Sequence, residues 1–224
     1  MTAAGIVQQQ RPGAPAPGPT PPTPGQLPLT PGDRGPDVSS YQPNVDWSAV
    51  AASGCRFAFA KATEGVGYVN PYFAQDWTGI AAAGMVRGAY HFARPSQSGA
   101  DAEAAWFCSQ LGPLGPSDIP VLDSEDPNAS GDLSGWTIAF LQAVQQRTGR
   151  PCWLYSGPWY MTPHGLDSPA VAAAAGGLWL AAYQTLPPPV PPGWQQQGLG
   201  FWQHTDHASI PGVPGACDES IYRP

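Results

Sequence analysis

Eight short segments of β-type sequence constrain the fold of this chain more than any other feature. They follow one another along residues 33–224, at positions 36–39, 55–61, 86–92, 119–122, 152–156, 178–183, 199–203 and 216–222. Longer alanine-rich stretches separate many of them, and such alternation of β-type and α-type sequence is typical of a mainly parallel sheet with right-handed crossovers. Eight candidate strands therefore predict the α/β class and, within it, a TIM-like (β/α)-barrel.

The segments between the candidate strands differ in the two halves of the chain. Residues 101–111 and 133–148 are predicted to form amphipathic helices, the second of which ends at Gly149. The later candidate strands are separated by Pro/Gly-rich loops at 186–193 and 209–215, which are too short for full helices. We therefore expect a helix ring that is incomplete in the C-terminal half of the barrel.

The N-terminal residues have the composition of a linker. Residues 8–31 consist largely of Pro, Gly, Gln and Thr and contain almost no large apolar side chains. Such sequence cannot bury enough surface to offset the entropy lost on ordering, and its prolines favour extended conformations. We predict a disordered, Pro-rich tether at residues 1–32 and one domain at residues 33–224.

The charge balance excludes some classes of partner. The chain has 9 Lys+Arg against 16 Asp+Glu, and its net charge of −7 argues against nucleic acid and against attraction to anionic membrane lipid. Nine Trp and eight Tyr are many for a chain of this length. Most aromatic residues pack in the core, but a surplus also suits a groove that stacks on sugar faces.

The sequence shows no recognisable export or membrane segment. Residues 1–7 have no basic region and too short an apolar run for a signal peptide. The longest apolar stretch, residues 170–183, is too short to span a bilayer. A protein of this kind that acts outside a cytoplasm would need another route of delivery.

Neither the cysteines nor the histidines predict a metal or a cofactor. Four cysteines, Cys55, Cys108, Cys152 and Cys217, allow three disulfide pairings, and they could equally be small buried side chains. They form no Cys-x-x-Cys or Cys/His cluster. The spacing of His204 and His207 suggests a metal only weakly, and we expect no cofactor.

Two acids follow the fourth apolar segment. Asp123 and Glu125 end the run at 119–122, and alternate residues of a strand point the same way, with Cα atoms roughly 6.5–7 Å apart. Hydrolysis of a glycosidic bond needs such a pair, one protonated and one ionised. Residues 126–128 have turn composition, so a solvated acidic turn is the alternative interpretation.

Two further acids are predicted to reach the same end of the barrel. Asp37 lies in the first candidate strand and Asp218 in the eighth, and these strands are neighbours if the barrel closes. Carboxyl groups crowded around one opening repel each other, which raises at least one pKa, as a general acid requires. For Asp37 alone, capping of a turn would be the simpler explanation.

The order of motifs along the domain resembles glycoside hydrolase family 25, the Chalaropsis-type lysozymes. The motifs are Asp37-Val-Ser-Ser-Tyr-Gln42, Phe57-Ala-Phe-Ala-Lys-Ala-Thr-Glu-Gly65, Ala83-Gly84, Gly88-Ala-Tyr-His-Phe92, Pro120-Val-Leu-Asp-Ser-Glu125, Leu178-Trp-Leu-Ala-Ala-Tyr183, Phe201-Trp-Gln203 and Pro211-Gly212 followed by Asp218. They extend from end to end of the predicted domain, and their shared order is much more specific than any one of them.

This resemblance implies cleavage of the β-1,4 bond between N-acetylmuramic acid and N-acetylglucosamine in peptidoglycan. Glu125 matches the family's general acid/base. Asp123 matches its partner carboxylate, which acts either as nucleophile or as a stabiliser of an intermediate formed by the substrate's own acetamido group. Asp37 and Asp218 match two further acids around the site. Ser124 stands where the family often has an apolar residue, and the sequence around Asp218 matches the family only loosely.

Five residues are predicted to bind the substrate. Tyr90 belongs to the Tyr-His-Phe motif, and the other four end or lie in candidate strands: Tyr155, Trp179, Tyr183 and Gln203. For each aromatic residue, packing in the core is the commoner outcome. Glu64 either borders the cleft or pairs with Lys61, and His91 either supports the site or is a core histidine.

Two other functions stay open at this point. A chitinase-like glycosidase would also have closely spaced acids, although the motif at 37–42 argues against it. A non-catalytic glycan-binding barrel would be expected to lack Asp123 or Glu125, and both are present. We expect a monomer that binds peptidoglycan strands in the bacterial cell wall and is encoded by a phage or a bacterium. A phage lysin released by a holin, or a hydrolase associated with the virion, would fit.

Overall fold

The computed structural model describes Met1 and residues 27–224, and this part of the chain forms nine strands and six α-helices. The strands are β1 (Arg34–Val38), β2 (Phe57–Glu64), β3 (Tyr68–Val69), β4 (Val86–Phe92), β5 (Ile119–Asp123), β6 (Trp153–Ser156), β7 (Leu178–Ala181), β8 (Phe201–Ala208) and β9 (Cys217–Tyr222). The helices are α1 (Trp47–Ala52), α2 (Phe73–Ala82), α3 (Ala100–Leu111), α4 (Ser134–Thr148), α5 (Pro158–Met161) and α6 (Pro169–Ala174). Each predicted β segment overlaps one strand, and the short β3 is additional.

Eight of the strands close into a barrel. Their order is β1-β9-β8-β7-β6-β5-β4-β2, and β2 pairs in turn with β1. The barrel pairs are parallel except where β9 runs antiparallel to β8 and to β1. Residues 209–216 connect β8 to β9, and this connection is too short for the crossover that a parallel neighbour needs. The mainly parallel sheet is thus confirmed, with the last strand as the exception.

Apolar side chains fill the half of the barrel interior that is away from the C-terminal ends of the parallel strands. Successive residues of a strand point to opposite faces, so β2 directs Phe57 and Phe59 inward and Ala58 outward. Phe59 stacks on Trp179 with ring centroids 4.1 Å apart. We call this cluster the barrel floor, and it comprises Leu27, Phe57, Phe59, Val86, Ile119, Val121, Tyr155, Trp179, Ala181, Phe201 and Tyr222.

Helices cover the outer face unevenly. The predicted helices correspond to α3 and α4, and α4 ends at Gly149, whose φ of +70° suits glycine and whose N–H donates to the Gln145 carbonyl at 2.9 Å. After β6, α5 and α6 have four and six residues, and a 3-10 turn at Pro192–Trp194 precedes β8. Within the described residues, every helix is too short or too polar to cross a bilayer.

The predicted tether at residues 1–32 needs a correction at its C-terminal end. Residues 2–26 lie outside the described residues. Residues 27–32, however, contact the barrel: Leu27 is 8% exposed within the barrel floor, Leu29 packs against it, and the Gly32 N–H donates to the Tyr222 carbonyl at 2.9 Å. These two leucines are large apolar side chains next to the floor, so burial favours an ordered segment here.

Candidate active site

The strands bring the four predicted acids to one end of the barrel, which we call the mouth. Asp123 is the last residue of β5, and Glu125 follows two residues later. Asp37 is directly opposite Asp218 in the β1–β9 pair. Because β9 is antiparallel, Asp218 reaches the mouth from the beginning of its strand, whereas a parallel strand would present its end.

Hydrogen bonds fix the segment that follows β5. The Ser124 N–H donates to the Tyr155 carbonyl at 3.0 Å, and the Ser156 hydroxyl donates to the Ser124 carbonyl at 2.8 Å. The Tyr160 hydroxyl donates to the Asp126 carbonyl at 3.1 Å. Glu125 is therefore held between two anchored neighbours, which restricts the positions that its carboxyl can take.

The Asp126 carboxylate anchors the same segment from the other side. It accepts hydrogen bonds from Arg94 Nη1 at 3.1 Å, from the Ser96 hydroxyl at 2.5 Å and from the Asn128 N–H at 3.1 Å. The last of these forms an Asx turn, as the composition of residues 126–128 indicates. Asp126, Arg94 and Ser96 are supporting residues that the sequence motifs did not identify.

Burial and mutual repulsion hold protons on the mouth carboxyls. Burial, with a further contribution from the charge of Asp218, raises the pKa of Glu125 to about 7. Burial and the charge of Glu125 raise the pKa of Asp123 well above its usual range, but Lys61 and Arg94 oppose that rise. The charges of Lys61 and Arg94 favour the ionised form of Asp123, but burial and the charge of Glu125 outweigh them.

A buried glutamine organises the opposite side of the mouth. Gln203 Nε2 donates to Asp37 Oδ2 at 2.9 Å, while its Oε1 accepts from the hydroxyls of Tyr155 at 2.8 Å and Tyr183 at 3.0 Å. The two tyrosines fix the orientation of the amide, so its NH₂ group faces Asp37. Burial and the charge of Asp218 raise the pKa of Asp37 well above its usual range, and the Gln203 hydrogen bond opposes this.

The predicted substrate-binding residues divide into two groups. Tyr183 is 55% exposed and Tyr90 is half-buried at the mouth. The other three, Tyr155, Trp179 and Gln203, are buried, with exposures of 7%, 2% and 1%, and their contact with substrate stays a prediction. They pack in or directly above the barrel floor, and they support the acids from below.

Exposed aromatic residues around the mouth were missed. Trp159 is 66% exposed on α5 and lines a cavity of about 440 Å³ together with Glu125 and Tyr183. Tyr41 follows β1 and is 87% exposed. Both residues follow soon after a predicted strand. Because the parallel strands end at the mouth, this position in the sequence was the signal that could have identified them, whereas residue type was not.

The cysteines are unpaired, and His91 is buried in the core. Within residues 27–224 all four cysteines are free and no cluster of potential metal ligands occurs. His91 is fully buried, with Nε2 2.8 Å from Glu103 Oε2 and Nδ1 2.7 Å from the Thr63 hydroxyl. It is a hydrogen-bonded core histidine that links β4 to α3.

Comparison with known proteins agrees with the motifs and the geometry. The sequence model of the glycosyl hydrolases family 25 matches residues 36–213. The chain belongs to this family. It is 35% identical to lysozyme M1 of Streptomyces globisporus over 84% of this chain and 67% of that protein. It is 32% identical to the N,O-diacetylmuramidase of Chalaropsis sp over 84% of this chain and 95% of that protein.

A solved structure shows the same fold. The bacterial lysozyme from Streptomyces coelicolor superposes with a TM-score of 0.78 and 31% identity, covering 88% of this chain and 94% of that one. As a member of family 25, the chain is a glycoside hydrolase of the lysozyme type.

Proposed function

We propose that this family 25 enzyme is a muramidase that cleaves the β-1,4 bond between N-acetylmuramic acid and N-acetylglucosamine in peptidoglycan. The observation that supports this most strongly is the Asp123/Glu125 pair at the mouth. Burial and Asp218 raise the pKa of Glu125 to about 7, whereas Lys61 and Arg94 oppose the rise that burial and Glu125 cause in the pKa of Asp123. A glycosidase requires one protonated and one ionised carboxyl group.

The reaction begins with proton transfer from Glu125. Its carboxyl donates the proton to the glycosidic oxygen while the bond from that oxygen to C1 breaks. Ionised Asp123 either attacks C1 or stabilises the acetamido oxygen of the substrate as that oxygen attacks. The Glu125 carboxylate then takes a proton from water as the water oxygen bonds to C1, and the bond from C1 to Asp123 or to the acetamido oxygen breaks, which restores both groups.

Asp37, Asp218 and Tyr90 support this pair. Burial is the larger cause of the raised pKa of Glu125, and the charge of Asp218 is the smaller one. Together they keep this acid protonated up to near neutral pH. Asp37 is held by Gln203 and stands opposite Asp218. Tyr90, Tyr183 and the exposed Trp159 are the side chains that contact the sugars.

A turbidity assay on purified cell walls tests the assignment. Glu125→Gln is nearly isosteric but cannot donate a proton, so clearing should slow by about 10²–10⁴-fold. Glu219→Gln is the matched control, since this acid is adjacent to Asp218 but bonds to Arg34 on the outer face. Near-normal clearing by Glu125→Gln would refute the role of Glu125.

Product stereochemistry tests Asp123. A close pair on one face leaves no room for an intervening water, so the first-formed product should retain the β configuration in an NMR time course. An initial α-anomer would mean inversion, and would transfer the role of the base to Asp37 or Asp218.

Three broader features complete the proposal. The barrel is a TIM-like (β/α)-barrel with an incomplete helix ring, which is supported by the short α5 and α6 after β6. The catalytic unit begins near Leu27 and follows a Pro-rich tether. The enzyme acts as a monomer on the bacterial cell wall and is phage-encoded, without a metal or cofactor.

A further inference from the structure

A second cavity lies beside the mouth, between the segment after β1, the β2–β3 hairpin and the segment after β4. We call it the side pocket. Its volume is about 460 Å³, and its lining includes Ser39, Lys61, Glu64, Val66, Arg94 and Gln97. It opens on the side of the mouth opposite the cavity that contains Glu125, Trp159 and Tyr183. None of the roles proposed above uses it for binding.

The side pocket has a positive charge next to an acidic mouth. Lys61, the only lysine of the chain, donates to Glu64 Oε2 at 2.6 Å, and Arg94 Nε donates to Glu64 Oε1 at 2.9 Å. Burial opposes ionisation of Glu64, but the hydrogen bonds from Lys61 and Arg94 prevail and lower its pKa. Two cations and one anion therefore line the cavity, while Asp126, the other acceptor of Arg94, is buried outside the lining and offsets part of the positive charge.

These cations have donor capacity left. Among residues 27–224, Lys61 bonds only Glu64, although an ammonium group has three N–H donors. Arg94 uses three of its five donors, two on Glu64 and one on Asp126. The side chains of Lys61 and Arg94 are 15% and 22% exposed, so an anion in the cavity can reach them.

The strand register gives the distance from the reacting acids. Glu64 pairs with Phe92 across β2 and β4, and Phe92 pairs with Asp123 across β4 and β5. Neighbouring strands lie about 4.8 Å apart, so Glu64 is about 10 Å from Asp123 along the mouth. A substituent of a few bonds on a sugar bound at Asp123 spans that distance.

We propose that the side pocket binds a carboxylate on the substituent that muramic acid carries through its lactyl ether. This inference rests on the proposed muramidase function and adds a second recognition element to it. Lys61 and Arg94 supply charge-assisted hydrogen bonds, Ser39 and Gln97 supply neutral donors, and Val66 at the rim contacts the aliphatic part of the substituent. The carboxylate comes either from the peptide stem or, where the stem has been removed, from the lactyl group itself.

Val66 allows a test that leaves the cation network intact. Its side chain is 57% exposed, and it lies in the loop between β2 and β3, outside the catalytic groups. Val66→Glu places a negative charge at the rim and Val66→Lys places a positive one. Leu186→Glu is the matched control, because Leu186 is 73% exposed after β7, away from the side pocket.

Three substrates separate the sources of the carboxylate. They are peptidoglycan with free stem carboxylates, the same material with its carboxylates converted to neutral amides by carbodiimide coupling, and glycan stripped by an amidase to free lactyl carboxylates. We measure kcat/KM from the release of reducing ends at low ionic strength. Val66→Glu should lower it about 3–10-fold and Val66→Lys should raise it on carboxylate-bearing substrate, with no change on the amidated material.

The results distinguish the possible failures. An effect on intact but not on stripped substrate identifies a stem carboxylate, and an effect on stripped substrate identifies the lactyl group. If both Val66 variants act equally on charged and amidated substrates, or match Leu186→Glu, the side pocket does not bind a carboxylate and the muramidase function stands. If the wild-type enzyme releases no reducing ends from any of the three, the proposed function itself is wrong.

Discussion

The barrel floor and the barrel mouth differ sharply in chemistry although the same strands build both. Along β5 the inward residue changes from Val121 to Asp123, and along β8 it changes from Phe201 to Gln203. Two residues along a strand correspond to about 6.6 Å, so apolar and ionisable layers are adjacent. The floor excludes water from below, and this burial is the main cause of the raised pKa values above it.

The comparison predicts opposite effects of substitution in the two layers. The buried acids of the mouth lower the unfolding free energy, because a buried carboxyl group resists ionisation. A group in the floor contributes stability and performs no chemistry. Substitutions of the mouth acids should therefore abolish activity without unfolding the protein. Substitutions in the floor should lower the unfolding free energy without removing a group that takes part in the chemistry.

The largest expected effect comes from Asp123→Asn. Loss of this carboxylate should reduce kcat on cell walls by about 10²–10⁴-fold, since the partner of the general acid is removed. Asp101→Asn is the control, because that carboxylate is 80% exposed on α3. Clearing at the wild-type rate by Asp123→Asn would assign the partner role to another acid.

The same variant should be more stable than the wild type at high pH. Burial and Glu125 raise the pKa of Asp123 in the folded state. The wild type therefore has its full stability below the unfolded pKa of about 3.9 and loses part of it as pH rises toward the folded pKa. Chemical denaturation at pH 8 should show a higher unfolding free energy for the variant than for the wild type, and this difference should disappear near pH 3.

A substitution in the floor should have the converse effect. Phe59 is 1% exposed and stacks on Trp179, so Phe59→Ala should cost about 3–5 kcal/mol in unfolding free energy. Tyr41→Ala, at an 87% exposed side chain of the mouth, should leave stability almost unchanged. Equal losses for the two variants, measured by thermal denaturation, would contradict the division between floor and mouth.

The sequence predicted the strands and the acids because both depend on local patterns. Most of the β-type segments contain a recognisable apolar run, and Asp123 directly follows one of them. The direction of β9 was missed, because antiparallel pairing depends on the short connection at 209–216 and on barrel closure, not on the composition of the strand. Asp218 was predicted at the mouth, but it reaches the mouth from the other end of its strand.

The sequence was less informative about exposure. Trp179 and Tyr183 lie in one motif, yet the first is in the floor and the second is at the mouth. The exposure of each side chain depends on its height along the barrel axis above the floor layer that contains Phe59 and Phe201. That height is a property of the closed barrel, so no pattern within one strand could predict it.

Truncation at the N-terminus tests where the floor ends. Removing residues 1–26 should leave the melting temperature nearly unchanged, whereas removing residues 1–32 should cost about 1.5–3 kcal/mol, because Leu27 leaves the floor. Leu27→Ala in the full chain should reproduce much of that loss. Identical melting temperatures for the two truncations would mean that the floor is closed without this segment.

The smallest expected effect tests whether the charge of Asp218, on one side of the mouth, shifts the pKa of Glu125 on the other side. Burial and the charge of Asp218 together raise the pKa of Glu125 to about 7. Activity should therefore fall as pH rises through about 7, since Glu125 loses the proton that it donates. Asp218→Asn removes one repelling charge, so the alkaline limb of the kcat/KM profile should move to lower pH, with a smaller rate loss than Glu125→Gln causes. Glu219→Asn, one residue away on the outer face, is the control and should leave the limb in place. If Asp218→Asn leaves the limb where it was, burial by the floor alone sets the acidity of Glu125, and the opposite acids act only on the substrate.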